Sequence, residues 1–212
     1  MNSSEELSCS LCSTVLQDRL DEVYFQCTGC GALVRDPRKH LSAEEEKGRY
    51  LEHNNDVFDE GYRTFTSPIT RFVLNHYLPE HKGLDFGCGP GPVIATVLAE
   101  NGYEVTLYDP FFHPDESYRQ TTYDYIFSCE VFEHFHHPHK EIEALVGLLK
   151  AGGRLMVMTH LWNPSIPFRN WYYRNDPTHV FIYTASTIDF IADHFQLLIE
   201  TRTDRLVVYR KK

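Results

Sequence analysis

The sequence predicts an α/β protein with a doubly wound, largely parallel sheet, preceded by a small cysteine-rich unit. Two observations carry this prediction. Two CxxC pairs stand within the first 30 residues, and from residue 82 onward short apolar strands alternate with helices of apolar periodicity. Such alternation is typical of crossover connections between parallel strands. At 212 residues the chain suits one ordinary domain with a small appendage.

The N-terminal unit is defined by Cys9, Cys12, Cys27 and Cys30, which form two CxxC pairs with 14 residues between them. This spacing is typical of a four-cysteine zinc site, and Gly31 permits the tight turn after the second pair. EVYFQ and ALV are the expected strands of the unit. A redox dithiol pair or a disulfide framework is the alternative. We expect a structural zinc ribbon, because so few residues cannot bury a stable core without a metal.

The chain divides into three predicted parts. These are a zinc ribbon at 1–38, a linker that becomes a helical flap at 39–65, and the main domain at 66–212. In the flap, the polar stretch from Glu44 to Lys47 is expected on an exposed turn. Tyr50, His53 and Tyr62 either close over a site or only pin the flap to the sheet.

The main domain opens with KGLDFGCGPGP, residues 82 to 92. A strand beginning near Leu84 leads into Gly87, Gly89 and Gly91, and the helix VIATVLAENG follows. Alternate glycines let a ligand approach the backbone, and the helix N-terminus offers unpaired amides. A dinucleotide fingerprint would need glycine where Pro92 stands, so nicotinamide binding is the second choice for this loop.

Two acidic residues accompany the loop. Asp85 precedes the first glycine by two positions, and Asp109 ends the next strand, YEVTLYDP, 18 positions after Gly91. A carboxylate in the second place can accept both hydroxyls of a ribose. The combination resembles class I S-adenosylmethionine-dependent methyltransferases, and the resemblance runs from about Thr66 to the C-terminus.

The resemblance implies a Rossmann-like methyltransferase sheet and a cofactor site. Asp85 would lie near the methionyl ammonium group, the glycines would line the cofactor and Asp109 would hold the ribose. The implied cofactor-binding residues are Asp85, Gly87, Cys88, Gly89, Gly91, Asp109, Pro110 and Cys129. TYDYIFSCEVFEH and LLKAGGRLMVMTH match the family's fourth and fifth strands, and FQLLIETRTDRLVVYRK matches its closing hairpin.

One departure from the family concerns the adenine region. Only 13 residues separate Asp109 from Tyr123, which is too short for a helix, a third strand and an adenine contact. We therefore expect the third strand to be short or missing. Phe111 or Phe112 packs against the base, or both are simply buried under the shortened edge.

The candidate catalytic residues follow the strands. His179 is the preferred base or substrate-orienting residue, with His134 and His160 behind it; the alternative for each is a histidine that orders a loop through backbone hydrogen bonds. His179 lies in PFRNWYYRNDPTHVFIYT, residues 167 to 184. This aromatic segment is either a wall of the acceptor site or a packed connection.

The stretch EVFEHFHHPHK contains four histidines within six positions. We assign His134 to the site, together with Glu130 and Glu133. This trio resembles an acidic-histidine group to which some quinol O-methyltransferases are thought to bind a divalent ion, although the motif also occurs in metal-independent relatives. The other three are expected on a hydrated helix entrance: His136, His137 and His139.

Composition limits the function classes. The chain has 20 Lys and Arg against 30 Asp and Glu, a net charge of -10, which disfavours nucleic acid as a partner. No apolar run approaches the roughly 20 residues of a membrane span, and MNSSEELSCS lacks the pattern of a secretory signal. We expect a cytoplasmic S-adenosylmethionine-dependent methyltransferase acting on a small-molecule or carrier-bound acceptor. The alternatives are an RNA methyltransferase and a catalytically silent zinc-ribbon binding protein.

Overall fold

The structure, a computed structural model, describes residues 6–51 and 56–212. The strands are β1 (Asp18–Arg19), β2 (Tyr24–Gln26), β3 (Leu33–Arg35), β4 (Gly83–Phe86), β5 (Val105–Tyr108), β6 (Tyr123–Cys129), β7 (Leu149–Met158), β8 (Phe181–Ile182), β9 (Leu197–Arg202) and β10 (Leu206–Lys211). The helices are α1 (Ala43–Leu51), α2 (Glu60–His76), α3 (Val93–Glu100), α4 (Pro138–Leu148), α5 (Tyr172–Asn175) and α6 (Ala185–His194).

The main sheet confirms the predicted fold class. Its strand order is β5-β4-β6-β7-β10-β9, in which β4, β5, β6 and β7 are parallel and β10 runs antiparallel to both of its neighbours. The order reverses beside β4, which is where open sheets of this kind place their ligand crevice. The closing pair β9 and β10 is the hairpin that the sequence predicts.

The third strand of the family pattern is missing, as expected. Between β5 and β6 the chain forms a 3-10 turn at Glu116–Gln120 instead. This turn buries Tyr118, whose ring lies 4.2 Å from that of Tyr108 and 6.0 Å from that of Phe86. Aromatic packing thus ties the segment between β5 and β6 to β4 and β5.

Helices cover both faces of the sheet because successive strand residues point to opposite sides. In β6, Ile126 packs on the face of α4 and α6, where Ile142 and Ile188 are fully buried. Tyr125 and Phe127 point to the other face, toward Ile69 of α2. No helix of the described residues is long and apolar enough to cross a bilayer.

The N-terminal unit forms a second sheet with the order β1-β2-β3-β8. Its last strand comes from the main domain, so the two parts share backbone hydrogen bonds as well as one apolar cluster. Helix α2 begins at Glu60 and continues past residue 66. The three-part division of the chain and its boundaries stay predictions.

Candidate functional site

A cavity of about 690 Å³ opens at the carboxyl ends of β4, β5 and β6. The glycine loop and Asp109 form one side of it, and Glu133, His134 and His179 form another. Cys88, Pro110 and Cys129 also line the cavity, whereas Asp85 and Gly91 line a small adjoining pocket that shares Cys88 and Cys129. The structure therefore brings all eight predicted cofactor residues to one place.

The glycine loop needs a glycine at its first position. Gly87 has φ +81, and a Cβ there would lie 2.5 Å from the nearest Val131 methyl group. The Gly87 and Cys88 amides both donate to the carbonyl of Tyr108, at 2.8 and 3.1 Å. The loop is thereby tied to the end of β5, beside Asp109.

The Asp109 carboxylate accepts three backbone hydrogen bonds on the glycine-loop side of the cavity. Its Oδ2 accepts from the Gly89 amide at 3.0 Å, and its Oδ1 accepts from the Phe111 and Phe112 amides at 2.9 and 3.1 Å. The residue is 8% exposed. These bonds fix one carboxylate between the glycine loop and the segment where the two phenylalanines line the cavity.

Burial raises the pKa of the other ionisable groups on the cofactor side. The pKa of Asp85 is raised well above its usual range by burial and by the nearby Asp109. Burial likewise raises the pKa of the Cys88 and Cys129 thiols. Neither thiol is a thiolate near neutral pH, so both offer contact surface and not a nucleophile.

Two glutamates follow β6 at the opposite side of the cavity. Burial and the adjacent Glu133 raise the pKa of Glu130 to about 9, so Glu130 carries a proton at neutral pH. Glu133 is fully buried; its Oε2 accepts from the Thr159 hydroxyl at 3.0 Å, while its Oε1 has no hydrogen-bond partner among the described residues. An unsatisfied buried carboxylate oxygen is costly and marks a place built for a further group.

Two imidazoles face that oxygen. The Nε2 atoms of His134 and His179 lie 3.9 and 4.0 Å from Glu133 Oε1. Their Nδ1 atoms lie 3.0 Å from the carbonyl of Thr178 and 2.7 Å from that of Tyr173. Because a carbonyl only accepts, each Nδ1 carries a proton, and in the neutral ring Nε2 is the acceptor.

Glu133, His134 and His179 together allow two kinds of chemistry. Burial lowers the pKa of His179, so its Nε2 is unprotonated at neutral pH and can take a proton from a substrate. Alternatively, Glu133, His134 and His179 offer donor atoms within 4.8 Å of one another, which suits a divalent cation. The sequence grouped Glu133 and His134 with Glu130. The structure places His179 beside Glu133 and His134 as well.

His160 does not line the cavity. Its Nδ1 lies 3.1 Å from the Tyr172 hydroxyl and 3.2 Å from an Arg205 nitrogen, and its ring packs on Trp171. Burial and the Arg205 charge lower its pKa. The ring thus contacts side chains and not the backbone, and the catalytic role of His160 stays a prediction.

The aromatic segment 167–184 divides into two groups. Tyr172, Tyr173 and Asp176 line the cavity beside His179. The remaining aromatic residues are buried away from it and pack on one another or on the sheet: Phe168, Trp171, Phe181 and Tyr183. One part of the segment thus lines the cavity and the other is a packed connection, while its role as a wall of the acceptor site stays a prediction.

The flap covers the cavity with Tyr50 and Tyr62, which both line it. The Tyr50 ring contacts those of Phe111 and His134, with centroids 5.6 and 5.3 Å away. Tyr50 thus touches residues from both sides of the cavity. His53, the third expected flap residue, lies outside the described residues.

Residues 44–47 lie in helix α1 and not in the expected turn, and although Glu44, Glu45 and Lys47 are exposed, Glu46 and His136 have partners at the flap. Glu46, expected on an exposed turn, accepts from His136 Nε2 at 2.8 Å and lines the cavity. His136, expected to be hydrated, also lies 3.1 Å from His40, nitrogen to nitrogen. The sequence shows which side of α4 is apolar, but it does not show that α1 packs against the loop before α4.

The four N-terminal cysteines converge on one point. The Sγ atoms of Cys9 and Cys30 are 3.7 Å apart, those of Cys12 and Cys27 are 3.4 Å apart, and all four lie within 4.8 Å of one another. A tetrahedral zinc site with bonds of about 2.3 Å has sulfur–sulfur distances of about 3.8 Å. None of the four forms a disulfide. The donors therefore fit zinc.

Both CxxC knuckles are closed by the same kind of backbone hydrogen bond, which runs from the residue after the second cysteine to the carbonyl of the first. The Gly31 amide donates to the Cys27 carbonyl at 2.9 Å, and the Ser13 amide donates to the Cys9 carbonyl at 2.8 Å. Gly31 has φ 77 and Ser13 has φ 61. The sequence signals the left-handed residue only in the second knuckle, since serine rarely adopts that conformation.

The charge of the cavity is one-sided. Six carboxyl groups line it, of which Glu130 carries a proton at neutral pH and Asp176 lies 3.4 Å from an Arg49 nitrogen: Glu46, Asp109, Glu130, Glu133, Glu141 and Asp176. No lysine or arginine is among the described residues that line it, and the undescribed residues 1–5 and 52–55 contain neither type in the sequence. Such a cavity favours cationic or neutral ligands over anionic ones.

Comparison with known proteins agrees with this architecture. A family model described as a methyltransferase domain matches residues 32–201. No curated protein matches the sequence. Among solved structures, 1,6-didemethyltoxoflavin-N1-methyltransferase of Burkholderia thailandensis, with bound 1,6-didemethyltoxoflavin and S-adenosylhomocysteine, is 16% identical with a TM-score of 0.56. The match covers 92% of this chain and 98% of that one.

Two further structures share the fold. Magnesium protoporphyrin IX methyltransferase of Synechocystis PCC 6803, with bound S-adenosylhomocysteine, is 13% identical with a TM-score of 0.53, covering 81% of this chain and 95% of that one. An O-methyltransferase family protein of Burkholderia thailandensis is 15% identical with a TM-score of 0.53, covering 79% of this chain. This chain spans only 62% of that protein's length. The family model, which matches most of the sequence, shows that the chain belongs to the methyltransferase-domain family, with the class I fold.

Proposed function

We propose that the protein is an S-adenosylmethionine-dependent methyltransferase whose acceptor is a small, neutral or cationic molecule. The observation that carries this proposal is the single cavity in which the glycine loop and Asp109 face Glu133, His134 and His179. One side has the groups that recognise a nucleoside with a ribose, and the other has the groups that handle a proton. Methyl transfer needs both within reach of one another.

The cofactor side suits S-adenosylmethionine, which when bound supplies an electrophilic methyl group. Asp109, fixed by three backbone amides, would accept the ribose hydroxyls. Gly87 to Gly91 allow the close approach of the methionyl part, and Asp85 lies in the adjoining pocket next to Gly91. Phe111 and Phe112 line the cavity and would pack against the adenine, in place of contacts from a third strand.

On the acceptor side His179 is the proposed proton acceptor. Its Nδ1–H is held by the Tyr173 carbonyl, so Nε2 is available at neutral pH, and the buried Glu133 would stabilise the imidazolium that forms. Tyr50 covers the site and limits water access. His134, with its Nδ1 equally fixed, would orient the acceptor or share this role.

The acceptor class follows from charge. A cavity lined by six carboxyl groups and by no lysine or arginine of the described chain disfavours phosphorylated and carboxylated acceptors. A nucleotide, an RNA strand and a metabolite on a phosphopantetheine carrier all carry phosphate. The carrier-bound acceptor and the RNA methyltransferase considered from sequence therefore receive no support from the charge of this site.

A divalent cation on Glu133, His134 and His179 is the second candidate for the acceptor side. It is favoured by the orphaned Glu133 oxygen and by the two fixed imidazoles that face it. Equilibrium dialysis of zinc-loaded protein against Mn²⁺ tests it. Binding of about one Mn²⁺ that is lost in His179→Gln supports a cation; the absence of binding leaves the imidazole as the base.

We further propose that Cys9, Cys12, Cys27 and Cys30 bind one structural zinc ion. A four-cysteine site leaves no open position for catalysis. None of the six cysteines forms a disulfide. We also propose the cytoplasmic location that the sequence predicts.

Calorimetry with S-adenosylhomocysteine tests the proposed function. The purified protein should bind it with a stoichiometry of one, since this demethylated product of the cofactor keeps the ribose, the adenine and the amino-acid part. S-adenosylmethionine should compete for the same site. Absence of heat with both compounds at high concentration, in protein shown to be folded, would remove the proposal.

A further inference from the structure

We propose that the zinc ribbon positions His179, with Tyr24 as the residue through which it acts. The ribbon is then part of the acceptor site's scaffold, and its loss disturbs the acceptor side while sparing the cofactor side. This inference rests on the proposed role of His179 in methyl transfer. It gives the ribbon a task within the molecule that needs no external partner.

The central contact is a hydrogen bond between the two parts of the chain. The Tyr24 hydroxyl of β2 donates to the main-chain carbonyl of His179 at 2.6 Å. Tyr24 is 0% exposed, and its ring meets that of Phe168 edge to face at 5.3 Å. A buried carbonyl satisfied by one buried hydroxyl has no water to replace that donor. The bond therefore fixes the peptide from which the His179 side chain projects.

Strand pairing extends this contact along the segment. Strands β3 and β8 pair antiparallel, with Leu33 opposite Ile182, directly after the histidine. The Arg35 amide donates to the carbonyl of Val180 at 2.9 Å, one residue from His179. The backbone that leaves the acceptor site thus continues as an edge strand of the ribbon sheet.

An ion pair fixes the segment before the histidine. Arg174 lies 2.7 Å from Asp21 Oδ2, and the Asp21 side chain is completely buried. The other Asp21 oxygen accepts from the amides of Val23 and Tyr24, at 2.7 and 2.8 Å. Asp21 therefore links Arg174, which lies in the aromatic segment, to the backbone of the tyrosine that holds His179.

The cysteine cluster packs on residues that follow His179 in the chain. Cys9, Cys27 and Cys30 share an apolar cluster with Phe181 and Tyr183, and the Thr184 hydroxyl donates to the Gly31 carbonyl at 3.2 Å. Geometry at the knuckles is thus transmitted to the strand that follows His179. The cofactor side depends on other bonds, such as those from the glycine loop to Tyr108.

Tyr24→Phe is the test, because it removes the hydroxyl and keeps the ring. The matched control is Tyr103→Phe: Tyr103 is buried too, and its hydroxyl donates to the Tyr77 carbonyl at 2.7 Å, away from the cavity. Three readouts are taken for each variant. They are S-adenosylhomocysteine affinity, amide hydrogen exchange of residues 171–184, and the tautomer of His179 from proton–nitrogen correlation spectra, assigned with His179→Gln.

In Tyr24→Phe we expect His179 to lose its pure Nδ1–H tautomer and segment 171–184 to exchange about tenfold faster, the effect of one lost buried hydrogen bond. Affinity for S-adenosylhomocysteine should stay within about twofold, which separates this result from failure of the proposed function. Arg174→Gln, which breaks the second tie, should act in the same direction. An unchanged tautomer and exchange rate in Tyr24→Phe, or equal changes in Tyr103→Phe, would overturn the proposal.

Discussion

Asp109→Asn perturbs the proposed ribose contact with the least change in shape. In the native chain, Oδ1 accepts from two amides and Oδ2 accepts from Gly89. The asparagine oxygen can keep the bonds to Phe111 and Phe112. Its amide nitrogen would then face the Gly89 N–H, and two donors repel each other. The variant therefore loses the negative charge and one anchor of the glycine loop.

The size of the effect follows from these losses. A hydrogen bond to a charged acceptor contributes about 1 kcal/mol more than one to a neutral acceptor, and two ribose hydroxyls are involved. Loosening of the glycine loop adds about 1 kcal/mol. The sum of about 3 kcal/mol corresponds to a roughly 100-fold weaker Kd for S-adenosylhomocysteine.

Calorimetry on both the variant and a control measures this change. The control is Asp115→Asn, since exposed Asp115 also accepts from a nearby backbone amide, that of Ser117 at 2.9 Å, but does not line the cavity. Its Kd should stay within about twofold of the native value. A thermal melt shows that both variants are folded. An Asp109→Asn affinity equal to that of the control would refute the ribose assignment.

Three other predictions concern the proton acceptor, the glycine loop and the ribbon. His179→Gln should bind S-adenosylhomocysteine normally and lose about 100-fold or more in turnover of an acceptor once one is known. Burial lowers the pKa of His179 from the ordinary histidine value of 6.5, so turnover of the native enzyme should fall only below pH 6.5. A fall that begins above this pH would speak against His179 as the proton acceptor. Gly87→Ala should lose about 2 kcal/mol or more of unfolding free energy in a denaturant titration, since φ is +81 and the new methyl group meets Val131; Gly102→Ala, also at positive φ but in open space, should lose less, and equal losses would contradict the steric argument. Cys27→Ser should lower the zinc content from about one per chain toward zero and lower the melting temperature, whereas Cys129→Ser should retain the metal; full zinc content in Cys27→Ser would exclude the four-cysteine site.

Much of the fold could be predicted because its signals are local. Strands β4 and β6 and the second half of β7 are largely apolar runs, and the loss of the third strand follows from the 13 residues between Asp109 and Tyr123. The cysteine spacing gave the knuckles directly. The spacing of residues in the sequence does not reveal that β3 pairs with β8, about 150 residues further along the chain. Two-residue strands such as β1 and β8 are too short to show periodicity.

The candidate site shows the same division. Asp85, Asp109 and the glycines were found because they belong to one contiguous pattern. The role of Glu133 as the buried partner of His179 depends on two loops that meet in space, and no spacing rule links residues 46 positions apart. Glu46 and His136 were assigned to the surface for a related reason, since each looks polar and exposed within its own helix or loop. Only the packing of α1 against the cavity joins them.

A crystal structure of the protein with S-adenosylhomocysteine tests the central claim most directly. The account predicts the ribose hydroxyls within hydrogen-bond distance of Asp109, the methionyl group along Gly87 to Gly91, and the sulfur open toward His179 across the cavity. An S-adenosylhomocysteine molecule bound elsewhere on the protein would contradict it, as would a ribose turned away from Asp109.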